Sequence, residues 1–315
     1  MTGVARPADR SRFQDPVFLL APARSYSTVT IALLAGHPHL YGLPETDLFA
    51  RATVGEIGNG TADRSTSQGW QDSQPPDSQP PGLVRAIAQL HDGRQDPAAI
   101  QRAIEWLRER AATPSTTIMD HVLRLVHPRT VVEKSPSTVG SVRALTRCLQ
   151  AYPNARYLHL TRHPVSSLQS MNAHWSARFS PADMPGEQRI RGCLHYWYSS
   201  HLRIIQALQD LPRHRWRRLR AEDLAGTPKA MLPPVLDWLA LDHDDAIIDR
   251  MLRTQHWEFA AWDTSAGFGG ADPRFSRDPT LRPVPPPEPE VIDPGWDISD
   301  EIRVRIATLA RHLGY

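Results

Sequence analysis

Apolar positions along the chain gather into short runs divided by longer stretches of helical pattern. Residues 16–21 form a continuous apolar run, which predicts a strand buried on both faces. A tight loop follows at 22–28, and residues 29–35 read as a helix stopped by Gly36-His37-Pro38. Strand, loop and helix in that order open an α/β unit. Helical patterns recur at 83–91 and 97–111. Thr130 to Glu133 predicts a second strand, 138–151 a helix, and Arg156 to Thr161 a third strand, with a helix after it. A long helix is expected at 187–210, a fourth strand at 216–220, and helices at 228–240, 244–252 and 298–313. Strands that alternate with helices point to a parallel sheet. Residues 1–14 read as a loose tail. Residues 56–82, with a tandem Asp-Ser-Gln-Pro-Pro at 72–81, read as a disordered loop. Residues 260–297 read as a Gly- and Pro-rich loop. No internal boundary stands out, so 1–315 is taken as one domain with helical insertions.

Composition narrows the function classes. Of 315 residues, 40% are hydrophobic and 22% charged, an ordinary globular balance. The net charge of +2 disfavours a nucleic-acid binder, while leaving room for a local anion pocket. Two of the 36 basic residues are lysines, Lys134 and Lys229; the other 34 are arginines. Cys148 and Cys193 form no CxxC, and no HExxH or calcium-type loop is present, so neither a disulfide framework nor a metal is expected. No apolar run is long enough to span a membrane and no secretory leader is seen, so a cytoplasmic protein is expected.

Four segments carry candidate chemistry, each at the end of an expected strand or helix. The first is Ala23-Arg24-Ser25-Tyr26-Ser27-Thr28, after the first strand. A loop entering a helix presents backbone N–H groups and the positive end of the helix dipole, which suits phosphate or sulfate. The plainer role is a helix cap from Ser25 or Ser27. The second is Glu133-Lys134-Ser135-Pro136, at a strand end that faces a ligand crevice; here the plainer role is an ion pair of Lys134 with Glu133 or a neighbour. The third is Arg162-His163-Pro164 with Ser170 eight residues on from Arg162. The fourth runs from His37-Pro38 to Glu45-Thr46, with Glu45 21 residues on from Arg24. His37, His39 and His121 compete with Glu45 as a base. His195 and His201, on different helix faces, read as structural.

Together these segments resemble the sulfotransferases that use 3′-phosphoadenosine 5′-phosphosulfate (PAPS), over about residues 16–171. The resemblance implies a P-loop NTPase-like three-layer α/β fold with a central parallel sheet and helical insertions. It implies that Arg24, Ser25, Tyr26, Ser27 and Thr28 cradle the 5′-phosphosulfate, and that Arg162 and Ser170 grip the 3′-phosphate. Lys134 would meet the transferring sulfuryl group. Glu45 would be the base, as in the similar segment of protein-tyrosine sulfotransferases. The chain departs from the family pattern at Ala23 (usually Pro), Tyr26 (usually Gly) and Ala221, where a Tyr often stacks by the cofactor. A left-handed conformation at position 26 would strain Tyr26. Residues 267–282, with Arg274, Arg277 and Arg282, fall where the family places a lid over the nucleotide. The implied acceptor is a hydroxyl on a small molecule or on a carrier-bound acyl chain, with PAP as product. Two rivals are a non-catalytic nucleotide-binding protein of the same fold and a P-loop kinase; the missing Walker Lys-Ser/Thr pair argues against the kinase. The Trp residues, among them Trp175, Trp197, Trp257 and Trp262, read as core or as an acceptor pocket.

Overall fold

The computed structural model describes residues 13–57, 79–176 (side chains of 175 and 176 excepted), 186–261, 269–282, 284 and 287–315. Five parallel strands form one sheet in the order β2-β3-β1-β4-β5. They are β1 Val17–Leu20, β2 Leu40–Gly42, β3 Thr130–Glu133, β4 Arg156–Thr161 and β5 Trp216–Arg220. The helices are α1 Ser27–Ala35, α2 Pro81–Asp92, α3 Pro97–Arg108, α4 Ser115–Val126, α5 Val142–Ala151, α6 Pro164–Ser176, α7 Gly186–Leu208, α8 Ala221–Gly226, α9 Pro228–Leu239, α10 Asp245–Met251, α11 Pro273–Arg277 and α12 Asp300–Leu313. The parallel α/β architecture expected from the apolar runs is present.

The central strand β1 is buried at all four residues and pairs with β3 on one side and β4 on the other. Apolar burial of this kind contributes about 1.5–3 kcal/mol per large side chain. Phe18 is the hub of an aromatic cluster, with ring centroids 5.3 Å from Phe49, 5.5 Å from Tyr152 and 5.9 Å from Tyr157. Phe49 lies four residues past Glu45, so this cluster ties the loop after β2 to the sheet centre. A second apolar cluster joins α6, α7 and α12 through Val165, Met171, Trp197 and Leu309.

Several boundaries differ from the sequence expectation. Strand β2 was not foreseen: it is three residues long, flanked by Pro38 and Pro44, and too short to show a period. It pairs with β3 at the sheet edge. Helices α4 and α8 were also unforeseen. The helix expected at 138–151 is a 3-10 turn, Pro136–Val139, then α5, because Ser141 caps α5 by accepting the Ala144 N–H at 3.1 Å. Of the loop expected at 56–82, residues 58–78 lie outside the described residues, and its end is already helical from Pro81. A proline is well tolerated at that first helical position. The tail residues 1–12 lie outside the described residues too, as do 262–268, 283 and 285–286 of the loop expected at 260–297. That loop also holds the short α11. Among the described residues no helix is long and apolar enough to cross a membrane.

Beneath β4 lies a buried pair of histidines. His159 Nε2 is 3.0 Å from His201 Nδ1 on α7, and both residues are fully buried. Such a bond needs one nitrogen as acceptor, so both rings cannot be cationic. Burial and the Arg218 charge of β5 pull both groups down, His201 to about 3; the His201 ring and His312 of α12 also disfavour a charge on His159. The fold thus favours the neutral rings, while the unfolded chain takes up protons below about 6.5. This stability is present above pH 6.5 and is lost as pH falls. The melting temperature is expected to drop by several degrees between pH 7 and pH 5, with a shallower fall in His201→Gln, as calorimetry across that range will show.

Candidate active site

All the candidate segments leave the C-terminal edge of the parallel sheet. The loop after β1 holds residues 21–26, the loop after β2 holds Glu45, the end of β3 holds Lys134, and the end of β4 holds Arg162. In open parallel sheets this edge, near a change in strand order, forms the ligand crevice.

Lys134 is the centre. Its side chain is 1% exposed, and Nζ donates to Thr28 Oγ1 at 3.0 Å and to Glu45 Oε1 at 2.5 Å. Its ion-pair partner is Glu45, across the crevice. The neighbouring Glu133 bonds elsewhere, because successive strand residues point to opposite faces. Glu45 is 31% exposed and so reaches the open side of the crevice. Of the competing histidines, the His37 and His121 rings are engaged away from it. His37 Nε2 meets the Asp242 carbonyl at 3.0 Å and its Nδ1 accepts the His39 N–H. His121 Nε2 lies 2.9 Å from His91 Nε2.

The loop 23–28 is bent twice into the left-handed region, at Arg24 (φ 67°) and Tyr26 (φ 56°). Such angles are strained for residues with a Cβ and persist only where surroundings enforce them. The enforcing residue is Arg162. Its guanidinium lies 4.0 Å over the Tyr26 ring, donates to Tyr26 Oη at 3.2 Å, and donates to the Arg24 carbonyl at 2.6 Å. The contact combines cation–π attraction with charge-assisted hydrogen bonds. Trp197 Nε1 donates to the Arg162 carbonyl at 3.1 Å, and Tyr196 Oη accepts the Ala23 N–H at 3.1 Å. Trp197 and Trp257 are buried core residues; Trp262 and the side chain of Trp175 lie outside the described residues.

Tyr26 occupies the N-cap position of α1 and gives it no side-chain cap. The capping role considered for Ser25 or Ser27 is therefore not what these residues do. Ser25 Oγ is buried with no hydrogen-bond partner among the described residues. An uncapped helix start beside an unsatisfied buried hydroxyl fits an anionic phosphate or sulfate group. Thr28 Oγ1 accepts from both Lys134 Nζ and the Asp272 N–H (3.2 Å), which leaves its own proton to donate.

Ser170 is the serine of α6 that faces the loop: Arg24 Nε donates to its Oγ at 3.0 Å, whereas Ser167 turns back toward the Arg162 carbonyl. Arg24 also pairs with Asp272 at 3.1 Å. Arg274 and Arg277 are both exposed on α11 and are not brought onto the loop, and Arg282 pairs with Asp278. The segment 269–272 reaches the site through Asp272, a residue the sequence reading passed over. Ala221 is fully buried at the start of α8; beside it Glu222 accepts the His163 N–H at 2.7 Å and the Tyr315 hydroxyl at 2.9 Å, fixing the loop after β4.

Glu45 is placed by its backbone. Its N–H donates to the Gly270 carbonyl at 2.8 Å, and Gly82 presses on the Glu45 carbonyl so closely that a Cβ there would lie 2.0 Å from it. Gly270 (φ 89°) sits against Gly82 from the other side. Buried Arg85 of α2 holds the chain around this point, donating to the carbonyls of Phe259 and Ala261 at 3.1 Å and of Gly269 at 3.3 Å. The Pro-Pro-Gly at 80–82 and the Gly-Gly at 269–270 were the available signals for this packing.

This geometry defines a parallel α/β protein with an anion-receptive loop and a buried lysine–glutamate pair at one crevice. The chain belongs to the sulfotransferase family: the model of that family matches residues 16–245. Its fold, P-loop NTPase-like with helices flanking the sheet, is similar to two solved structures. One is the sulfotransferase domain from the curacin biosynthetic pathway (TM-score 0.72, 22% identity, 95% of this chain and 98% of that one). The other is the sulfotransferase domain from the Synechococcus PCC 7002 olefin synthase (TM-score 0.69, 23% identity, 99% of each chain). At these identities the likeness is one of fold. No curated protein matches the chain.

Because the space beside Gly82 is filled by backbone, Gly82→Ala is expected to force the Glu45 segment away. Such overpacking costs typically about 1–3 kcal/mol. A drop of several degrees in melting temperature should register in a thermal scan, and an unchanged value would contradict the close approach.

Proposed function

We propose that the chain transfers the sulfuryl group of PAPS to a hydroxyl of a small molecule or of a carrier-bound acyl chain, and releases PAP. The observation that carries this reading is the meeting of Lys134, Glu45 and Thr28 at the mouth of an uncapped anion loop. Family membership favours sulfuryl transfer over the kinase-like alternative.

PAPS supplies an activated sulfuryl group on a phosphate leaving group. The residues of the chain divide the remaining work. Ser25, Ser27, Thr28 and the backbone at the start of α1 receive the 5′-phosphosulfate. Arg162 and Ser170 form the nearby cationic and hydroxyl surface for the 3′-phosphate, and Arg24, read as part of the 5′-phosphosulfate loop, bonds Ser170 between the two. Tyr26, its ring face under the Arg162 guanidinium, completes the loop beside them, and Arg274 and Arg277 are read as part of a segment over the nucleotide. The Lys134 ammonium has three donors. Thr28 and Glu45 take two, and the third is left to meet the transferring group, where charge gathers on the bridging oxygen. Glu45 accepts the proton of the acceptor hydroxyl as its oxygen bonds to sulfur and the bond from sulfur to the bridging oxygen breaks. A compact ammonium serves this point charge better than a planar guanidinium. The free, buried thiols of Cys148 and Cys193 suit a cytoplasmic setting, and the whole chain is read as one sulfotransferase domain.

Turnover of radiolabelled PAPS tests the reading. Lys134→Ala and Glu45→Gln are each expected to cut turnover at least about tenfold while PAP still binds. Arg162→Ala is expected to weaken PAP binding by about tenfold or more, read by calorimetry, because it removes both a phosphate ligand and the support of Tyr26. A wild-type chain that binds PAP yet never turns PAPS over across an acceptor screen would favour the non-catalytic reading.

A further inference from the structure

Glu133, the last residue of β3, and Lys134, the residue after it, are charged and face opposite ways. Lys134 turns into the crevice; Glu133, 1% exposed, turns beneath it. Glu133 Oε1 accepts the Thr46 hydroxyl at 2.7 Å and also the Ser135 hydroxyl. Ser135 Oγ in turn accepts the Asp47 N–H at 2.9 Å, and Ser137 Oγ donates to Asp47 Oδ1 at 2.5 Å. Thr46 is fully buried. One carboxyl group is thereby tied to two loops. Thr46 is the covalent neighbour of Glu45, and Glu133 and Ser135 are the covalent neighbours of Lys134.

A buried carboxyl is costly to desolvate, and an apolar side chain of similar size would fill the space without that cost. What the carboxyl adds is direction: two short hydroxyl bonds that an apolar residue cannot make. Burial also pushes Glu133 up to about 7 against the pull of those hydroxyls. The nearby Asp47 is raised to about 6 by burial and by the charge of Glu45.

We propose that Glu133 is the positioning residue of this site: through Thr46 and Ser135 it holds the loop of Glu45 and the loop of Lys134 in the register that brings Glu45 Oε1 onto Lys134 Nζ. Its consequence for turnover rests on the sulfuryl-transfer reading; its geometry does not.

The scarcity of lysine supplies the test. Protein labelled with 13C at lysine Cε gives two side-chain signals, from Lys134 and Lys229, assigned with Lys229→Arg. Glu45→Gln marks where the Lys134 signal goes when its carboxylate partner is lost. Thr46→Val, which keeps the Glu133 carboxyl group and the shape of side chain 46, and Glu133→Ala are both expected to move the Lys134 signal most of the way to that position. Glu133→Gln, whose amide oxygen can accept the same two hydroxyls, is expected to return it toward the wild-type position. With PAPS, Thr46→Val is expected to lower kcat about tenfold, a loss of about 1.4 kcal/mol of transition-state stabilisation, at unchanged KM for PAPS. If Glu133→Ala fails to fold, Thr46→Val decides alone. A Lys134 signal that stays at its wild-type position in Thr46→Val overturns the proposal, even where Lys134→Ala and Glu45→Gln abolish turnover. A displaced signal with wild-type kcat overturns it as well. Should the wild-type chain turn no PAPS over, the sulfuryl-transfer reading falls, and the signal positions still decide whether Glu133 sets the register.

Discussion

An ammonium group with 1% of its side chain exposed must be met by oxygen, and the crevice is arranged around meeting it. Lys134 is the first residue after β3, Thr28 lies in the first turn of α1 and Glu45 in the loop after β2. Three separate stretches of chain must therefore arrive within hydrogen-bond reach of one nitrogen. The parallel sheet makes this possible, because its strands deliver their following loops to the same edge. The order β2-β3-β1-β4-β5 places β3 between the strands that lead to Glu45 and Thr28, so the cation rises between its two partners.

The supporting contacts follow the same demand. Glu45 is held at its backbone by Gly270 and Gly82, and the loop it begins is held by Phe49 against Phe18. Arg85, itself buried, collects the carbonyls at both ends of the 262–268 segment and so brings Gly270 and Asp272 over the site. Its burial lowers it to about 10, which still leaves it charged at neutral pH. A cation buried among carbonyls is stable only with its hydrogen bonds made, which fixes the path of the chain on each side of that segment.

How much of this was legible in the sequence depended on the range of the interaction. Strands β1, β3 and β4 showed in the sequence because each buries several consecutive residues; β5, Trp-Arg-Arg-Leu-Arg with Leu219 alone buried, is not an apolar run, and β2, with three residues between prolines, showed no period. Arg24, Thr28, Lys134, Arg162 and Ser170 were legible through the resemblance of their motifs to those of PAPS-dependent sulfotransferases, each motif set close to a strand end. Asp272, Thr46 and Arg85 were not, since their roles come from contacts with residues far along the chain. Arg274 and Arg277 are exposed, and neither reaches the loop after β1. A run of arginines in a loop drew notice for its charge, yet the residue that reaches Arg24 is the aspartate just before them.

Tyr26 turns a departure from the family pattern into a property of the loop. Glycine at a left-handed position leaves the chain many other conformations, whereas a tyrosine there has few, and Arg162 clamps the one it takes. The loop is therefore ordered when the protein folds rather than when an anion arrives. Less conformational entropy would be lost were the loop to bind an anion, so more of the attraction between them would be retained as affinity.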